Sequence, residues 1–405
     1  MNRKYKIKGL IIVLLLLISI PTTIGINLES NPQLDINIDN RSNISDSFDE
    51  NVSYYMNQGH IPGLSGCIVI NDSVVWQKGY GYSNIYRGIK ATENTIYLGA
   101  SISKTITATA IMQLWEEGLF DLDEDVSNFL PFSLRNPKYP ENKITFRMLL
   151  SHHSSLAYGD WKSEPFIYLL FSLSGSSKER YEEILNPSGA FYNPRIWIDA
   201  KPGEQLEYSN IGFFILEYLV ELISNQSFDE YCTNHIFEQL EMKNTSYQLM
   251  NYEEDVVSTP YIWFLLSYIP LPNYEFTNYG VGGVRTSVKD LSHFLIAYMN
   301  GGVFNGSRIL LEETIELIQT IQFPNTNHSQ WFEYGLGWRV MKRNHTRLIW
   351  HPGTGPGVAT YINYNPKEKI GIIFFINQYP IIIPYDMEPW LNILWLLYEK
   401  AYQFV

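Results

Sequence analysis

Apolar positions divide this chain into strand-rich ends and a helix-rich middle. Near the start, Gly66-Cys-Ile-Val-Ile70 and Val74-Val-Trp-Gln-Lys-Gly79 flank the turn formers Asn71-Asp72-Ser73, a pattern that predicts a β-hairpin. From Ser101 onward, Ile106, Ala110 and Leu114 recur at helical spacing, and Gly118 supplies a stop. The middle of the chain, to about Tyr274, mixes helices with Pro-, Gly- and Ser-containing loops; Ile211 to Ile223 is its clearest buried helix. Pro260 to Pro270 is strongly apolar yet too short to cross a bilayer. A core element, a pocket wall and a membrane-facing patch are all open for it, with core packing the default. Beyond Gly280 a Gly-rich turn leads to a helix over Val288 to Met299. Strand-like runs return at Tyr334 to Met341, Leu348 to Trp350, Val358 to Tyr364 and Ile370 to Asn377, and Trp390 to Tyr402 forms a closing helix. Strands at both ends around helices predict an α+β fold: one antiparallel sheet completed by the C-terminal half, with an inserted helical lobe.

The N-terminus stands apart. Arg3, Lys4, Lys6 and Lys8 precede an uncharged run from Gly9 to Ile26, interrupted at Pro21. This is the layout of a secretory signal peptide, with an uncleaved anchor as the alternative. Either one places the body outside the cytoplasm, secreted or held at the outer face of the membrane. Residues 1–25 are therefore expected to be the signal or anchor, and 26–47, rich in Asn, Ser and Asp, a polar tether. Residues 48–405 form the folded body, with a sheet lobe at about 48–100 and 280–405 and a helical lobe at about 101–279.

Composition narrows the function classes. A net charge of −13 without a basic run in the body disfavours nucleic acid, which needs clustered Lys and Arg, so the expected partner is a small-molecule or peptide substrate. Membrane contact is expected only through an uncleaved N-terminus. The two cysteines, Cys67 and Cys232, are too few and too far apart for a disulfide framework or thiolate metal site. Asn-x-Ser/Thr triplets, as at Asn51, Asn225 and Asn305, are compatible with a glycosylated exported surface.

One constellation carries chemistry. Ser101-Ile-Ser-Lys104 is the only S-x-x-K, and it opens a helix. Residues i and i+3 share a helix face, so the Lys104 amine reaches the Ser101 hydroxyl. Burial and the helix N-terminus lower a lysine pKa, and a neutral amine can take the serine proton. The plainer alternative makes Ser101 a helix cap and Lys104 a solvated first-turn residue. Tyr208-Ser209-Asn210 offers a phenol for proton transfer and an amide for orientation, set after the turn Pro202-Gly-Glu204; Tyr82-Ser83-Asn84 repeats the triplet in another context. His351-Pro352-Gly353, the only H-x-G, falls at the end of a strand run, where Gly353 admits close approach and Thr354 offers an oxyanion N–H. The other histidines, His152-His153 included, lack metal-ligand spacing and read as structural or surface residues. No G-x-S-x-G elbow occurs.

In this order, S-x-x-K, Y-x-N and H-x-G resemble the serine β-lactamase-like family, which includes class C β-lactamases, D-alanyl-D-alanine carboxypeptidases, D-aminopeptidases and related esterases. His60-Ile-Pro-Gly-Leu64, Leu149-Leu-Ser-His152 and Gly282-Gly283 look like further landmarks, extending the likeness from about Phe48 to the C-terminus. The resemblance implies a β-lactamase/transpeptidase-like fold, its sheet flanked by N- and C-terminal helices. It implies an acyl-enzyme on Ser101, proton transfers shared by Lys104 and Tyr208, and a substrate amide or carbonyl held by Asn210. His351 would lend polar or positive character near the leaving group or carboxylate, and Gly353 and Thr354 would line the oxyanion hole. No metal or organic cofactor is implied. Two departures, His351 where the penicillin-binding enzymes usually have lysine and Pro352 beside it, tilt the expectation from a true β-lactamase towards a peptidase or esterase. A catalytically silent protein of this fold is the alternative from another class.

Overall fold

Side-chain alternation along two central strands organises the molecule, which is described by a computed structural model over residues 47–157, 178–276, 279–324, 326, 332–343, 346–379 and 388–405. The expected signal or anchor and all of the tether except Ser47 lie outside these residues. Strand β1 (Gly63–Ile70) is buried throughout; Cys67 and Val69 enter one core while Leu64, Ile68 and Ile70 enter another. Strand β8 (Ile370–Ile376) divides in the same way, with Ile373 and Phe375 on one side and Ile372 and Phe374 on the other. A strand buried at every position is a central one covered on both faces.

The other sheet strands are β2 (Ser73–Asn84), β3 (Ile89–Lys90), β4 (Glu333–Tyr334), β5 (Arg339–Arg343), β6 (Thr346–Gly355) and β7 (Val358–Asn365). Their order is β4-β5-β6-β7-β8-β1-β2-β3, antiparallel throughout, so the N-terminal hairpin docks onto the last strand of the chain. One face is covered by helices α1 (Phe48–Gln58) and α5 (Glu388–Ala401), which bring Val52, Met56, Trp390 and Ile393 to the smaller core. The larger core holds Ile106 and Ile111 of α2 (Ser103–Glu116), Phe214 of α3 (Asn210–Ser224), and Leu291 and Leu295 of α4 (Val288–Met299). Terminal helices flank the sheet, as expected of this α+β architecture.

Three expectations change. The run Tyr334 to Met341 is two strands, because Gly335 to Trp338 make a turn in which Gly337 takes φ +75°. His351 lies inside β6, well before its end at Gly355. Pro260 to Pro270 is a two-stranded hairpin, Tyr261–Phe264 paired with Ser267–Pro270; of the paired residues only Tyr261 is buried. Hydropathy alone favoured the core here, and the short reach of a hairpin tip overrode it.

Candidate active site

Ser101 stands on a strained corner. Ala100 before it takes φ +47°, a left-handed conformation that a residue with a Cβ adopts at a cost and holds only when neighbours enforce it. Gly99 donates its N–H to the Val284 carbonyl at 2.7 Å, and its own carbonyl accepts the Thr360 hydroxyl at 2.8 Å. The Ser103 hydroxyl donates to the Ala100 carbonyl at 2.8 Å and accepts the Val284 N–H at 3.0 Å. Ser101 lies in a single 3-10 turn, Ala100–Ile102, and α2 begins two residues later with Ile102 as its N-cap. The capping role is thus absent.

Lys104 is completely buried. Its Nζ donates to the Val281 carbonyl at 2.7 Å and lies 3.3 Å from Ser101 Oγ. Burial, reinforced by the positive charge of Arg339, holds its pKa well below that of an ordinary lysine. A neutral amine has two N–H donors and one lone pair; Val281 takes a donor, leaving the lone pair for the serine proton.

Glu217 positions that carbonyl. It is a wholly buried carboxylate on α3 whose oxygens accept the Tyr279 N–H at 3.1 Å and the Gly280 N–H at 2.9 Å. Both donors belong to the short helix Tyr279–Gly282, which contains Val281. Glu217→Gln turns one acceptor into a donor facing an N–H. Loss of about 1–3 kcal/mol of stability in urea melts is expected.

Tyr208 precedes Ser209, the N-cap of α3, whose hydroxyl accepts the Gly212 N–H. This capped turn separates it from Tyr82, which lies on exposed β2 with Lys90 Nζ 3.6 Å above its ring. The Tyr208 phenol is hydrogen-bonded to Ser101; burial raises its pKa, while the Ser101 bond and the Arg339 charge partly offset the rise. Lys104 Nζ is 5.2 Å from the ring centre, so amine and phenol meet at the Ser101 hydroxyl that both contact. Asn210 opens α3 with its side chain half-buried; among the described residues its amide makes no hydrogen bond.

His351 is fully buried, and its ring lies 6.5 Å from that of Tyr208. Burial, followed by the charges of Arg339 and Lys104, drives its pKa well below the usual range, so it is neutral at pH 7. Of the polar or positive character expected of it, burial favours the polar one. Its Nδ1 donates to the Pro352 carbonyl at 2.8 Å, leaving Nε2 an acceptor with no partner among the described residues. Two residues on, Gly353 packs so tightly that a Cβ there would lie 2.4 Å from the Gly99 carbonyl oxygen and 3.1 Å from the Ser101 nitrogen. Strand β6 therefore runs against the Ser101 amide. The exposed Thr354 follows at the rim.

Sequence reasoning overlooked Arg339. Its Cζ lies 4.4 Å from the Phe332 ring centre, 4.9 Å from Trp350 and 5.7 Å from Tyr208, and its Nε donates to the Tyr334 hydroxyl at 2.8 Å. Among the described residues no carboxylate pairs with it. A permanent positive charge, missed at the third motif, thus comes from the neighbouring strand. His152 was also passed over; its Nδ1 accepts the Ser209 N–H at 3.0 Å, and its ring lies 4.5 Å from Tyr208. No three His, Cys, Asp or Glu residues among those described are grouped to hold a metal.

A family model described as Beta-lactamase matches residues 48–382. The chain belongs to the beta-lactamase family. Members of this family are in general serine hydrolases, and the buried lysine beside a helix-opening serine is of a kind with that chemistry. Protein flp of Staphylococcus aureus (strain MW2) is 28% identical over 83% of this chain, which spans 64% of that relative's length. The human mitochondrial serine beta-lactamase-like protein LACTB is 25% identical over 76% of this chain and 69% of its own. Among solved structures, the octameric penicillin-binding protein homologue from Pyrococcus abyssi superposes with a TM-score of 0.72 at 29% identity, covering 88% of this chain and 76% of that one. The penicillin-binding protein from Bacillus halodurans, at 19% identity and a TM-score of 0.68 over 86% of this chain and 98% of its own, shares the fold.

Proposed function

We propose that this chain is an extracytoplasmic serine hydrolase that works through an acyl-enzyme on an amide or ester substrate. The observation carrying the proposal is the buried Lys104 amine, paired with no carboxylate among the described residues and 3.3 Å from Ser101 Oγ, with the Tyr208 phenol bonded to the same hydroxyl. Lys104 accepts the serine proton as Oγ bonds to the substrate carbonyl carbon, and the resulting oxyanion is met by the Ser101 and Thr354 N–H groups. Collapse breaks the bond to the leaving group, which takes the proton from Lys104 by way of Tyr208. Water then repeats the sequence on the acyl-enzyme and frees Ser101.

Asn210, whose amide can donate or accept, and the bare Nε2 of His351, an acceptor, are the groups offered to the substrate amide or leaving atom. The fixed charge of Arg339 supports substrates that carry a carboxylate, β-lactams among them, which the neutral His351 alone does not. The charged N-terminus and the apolar run after it support export.

A fluorophosphonate probe is the direct test. Covalent labelling is expected on Ser101, seen as one added phosphonyl mass on its tryptic peptide and absent from Ser101→Ala. Labelling elsewhere, or none in the folded wild type, would end this reading. Parallel turnover of D-amino-acid peptides, short-chain esters and nitrocefin then separates peptidase, esterase and β-lactamase activity.

A further inference from the structure

The hairpin Tyr261–Phe264/Ser267–Pro270 turns on two leucines. Leu265 and Leu266 take φ +46° and +64° and are 79% and 87% exposed. A two-residue turn with both φ values positive suits Asn-Gly, and each leucine is strained in it. The chain thus holds two large apolar side chains in water, on a backbone that disfavours them. Neither packing nor turn chemistry accounts for that choice.

Three features indicate what these leucines meet. No charged residue occurs from Val256 to Tyr274, so the finger carries no charge to desolvate. Phe264 and Ile269 extend the apolar tip, and behind it Trp263 and Tyr268 lie 4.7 Å apart, amphipathic rings one step back as at a membrane interface. The tip is also a convex point. It offers far less than the roughly 1,000 Å² that a stable protein interface needs, whereas fluid hydrocarbon admits a point.

The base of the finger is rigid. His60 stacks on Trp263 at 4.1 Å, and the Tyr261 N–H donates to Asn377 and Gly357 carbonyls at 2.9 and 3.3 Å. Gly357 lies in the turn that follows Thr354, so the finger is rooted beside the oxyanion strand. Ahead of α1 lie the uncharged run Gly9 to Ile26 and a tether able to span about 70 Å when extended, long enough for a body held there to reach the bilayer.

We infer that this hairpin is a membrane-dipping finger whose leucines enter the interfacial region of an electrically neutral lipid surface, bringing the cleft to substrates that lie there. The full-length chain is tested on phosphatidylcholine vesicles with brominated acyl chains, taking the difference between wild type and Trp263→Phe as the emission of Trp263. That emission is expected to be quenched in wild type and unquenched in Leu265→Asn/Leu266→Gly, a readout that anchoring by the N-terminus does not supply. The double variant restores favourable turn chemistry, so its melting temperature is expected to rise by about 2 °C while lipid contact is lost. Leu266→Asp, which charges the tip, is expected to abolish quenching as well. Quenching that persists in either variant, that is absent from wild type, or that requires anionic lipid would overturn the inference. So would a lower melting temperature in the Asn-Gly variant, because the leucines would then be packing groups.

Discussion

Replacing Lys104 with methionine is expected to lower ester kcat/KM by about 10³–10⁴-fold while making the protein harder to unfold. The first effect follows because, among the described residues, no other group bonded to Ser101 is a base of depressed pKa; the second, because a buried amine is costly and a methionine of similar volume is not. Wild-type kcat/KM should rise with pH as Lys104 loses its proton, through a midpoint well below 10.5, and that limb should vanish in Lys104→Met. Stability follows the same titration. Between the depressed folded pKa and 10.5 the unfolded chain binds a proton that the folded chain lacks, so Lys104 adds a positive slope to wild-type stability across that window, opposed above the ordinary cysteine range by Cys67 and Cys232, whose thiols burial pushes up. The variant should lose this slope. His152 and His351 are also held neutral by burial, so acidification below about 6.5 destabilises wild type and variant alike. The difference between wild type and variant in urea melts and ester kinetics from pH 7 to 10 isolates the lysine, because Cys67 and Cys232 contribute equally to both; a variant with undiminished activity would remove Lys104 from the mechanism.

Gly353→Ala should be nearly as damaging without touching a reactive atom. The new methyl would lie 2.1 Å from Thr360 Oγ1 and 2.4 Å from the Gly99 carbonyl oxygen. The hydroxyl could rotate aside, but the carbonyl is backbone, fixed in the loop that carries Ser101. Strand β6 must therefore back away from the Ser101 amide, and a shift of that kind is expected to cost about 10²-fold in kcat, together with about 1–3 kcal/mol of overpacking strain. Gly88→Ala makes a useful comparison: its φ is +67° but no atom lies within 4 Å of its added methyl, so it should lose only some stability. If Gly353→Ala were as active as Gly88→Ala, the close approach of β6 would have no catalytic consequence.

What the sequence disclosed depended on range. Ser101 and Lys104 are one helical turn apart, so their meeting is a matter of local geometry. The helices over Val288 to Met299 and around Ile211 to Ile223 were equally plain from their spacing, as was the hairpin around Asn71. Tyr208 and His351 carry weak patterns and gained weight only from their order along the chain. Arg339 carried no pattern at all: one arginine in a short strand resembles any other until Phe332, Trp350 and Tyr334 gather around it. Glu217 was hidden for the opposite reason, an acid inside an apolar helix that gives no hint of the two backbone N–H groups it accepts. Leu265 and Leu266 misled because hydropathy measures what a side chain prefers, while a two-residue turn dictates where it must go.

The docking of β1 against β8 sets a timetable for biogenesis. Ser101 and Lys104 emerge early from the ribosome, but the strand that presses on them, and the β8 partner that completes the sheet around β1, arrive only near the end of synthesis. Closing so long a loop is entropically slow, and until it closes the exposed edge of β1 is a template for faulty pairing. A partly made chain therefore already carries its chemical groups yet stays inert, and the cell must shield that edge until the final strands are delivered.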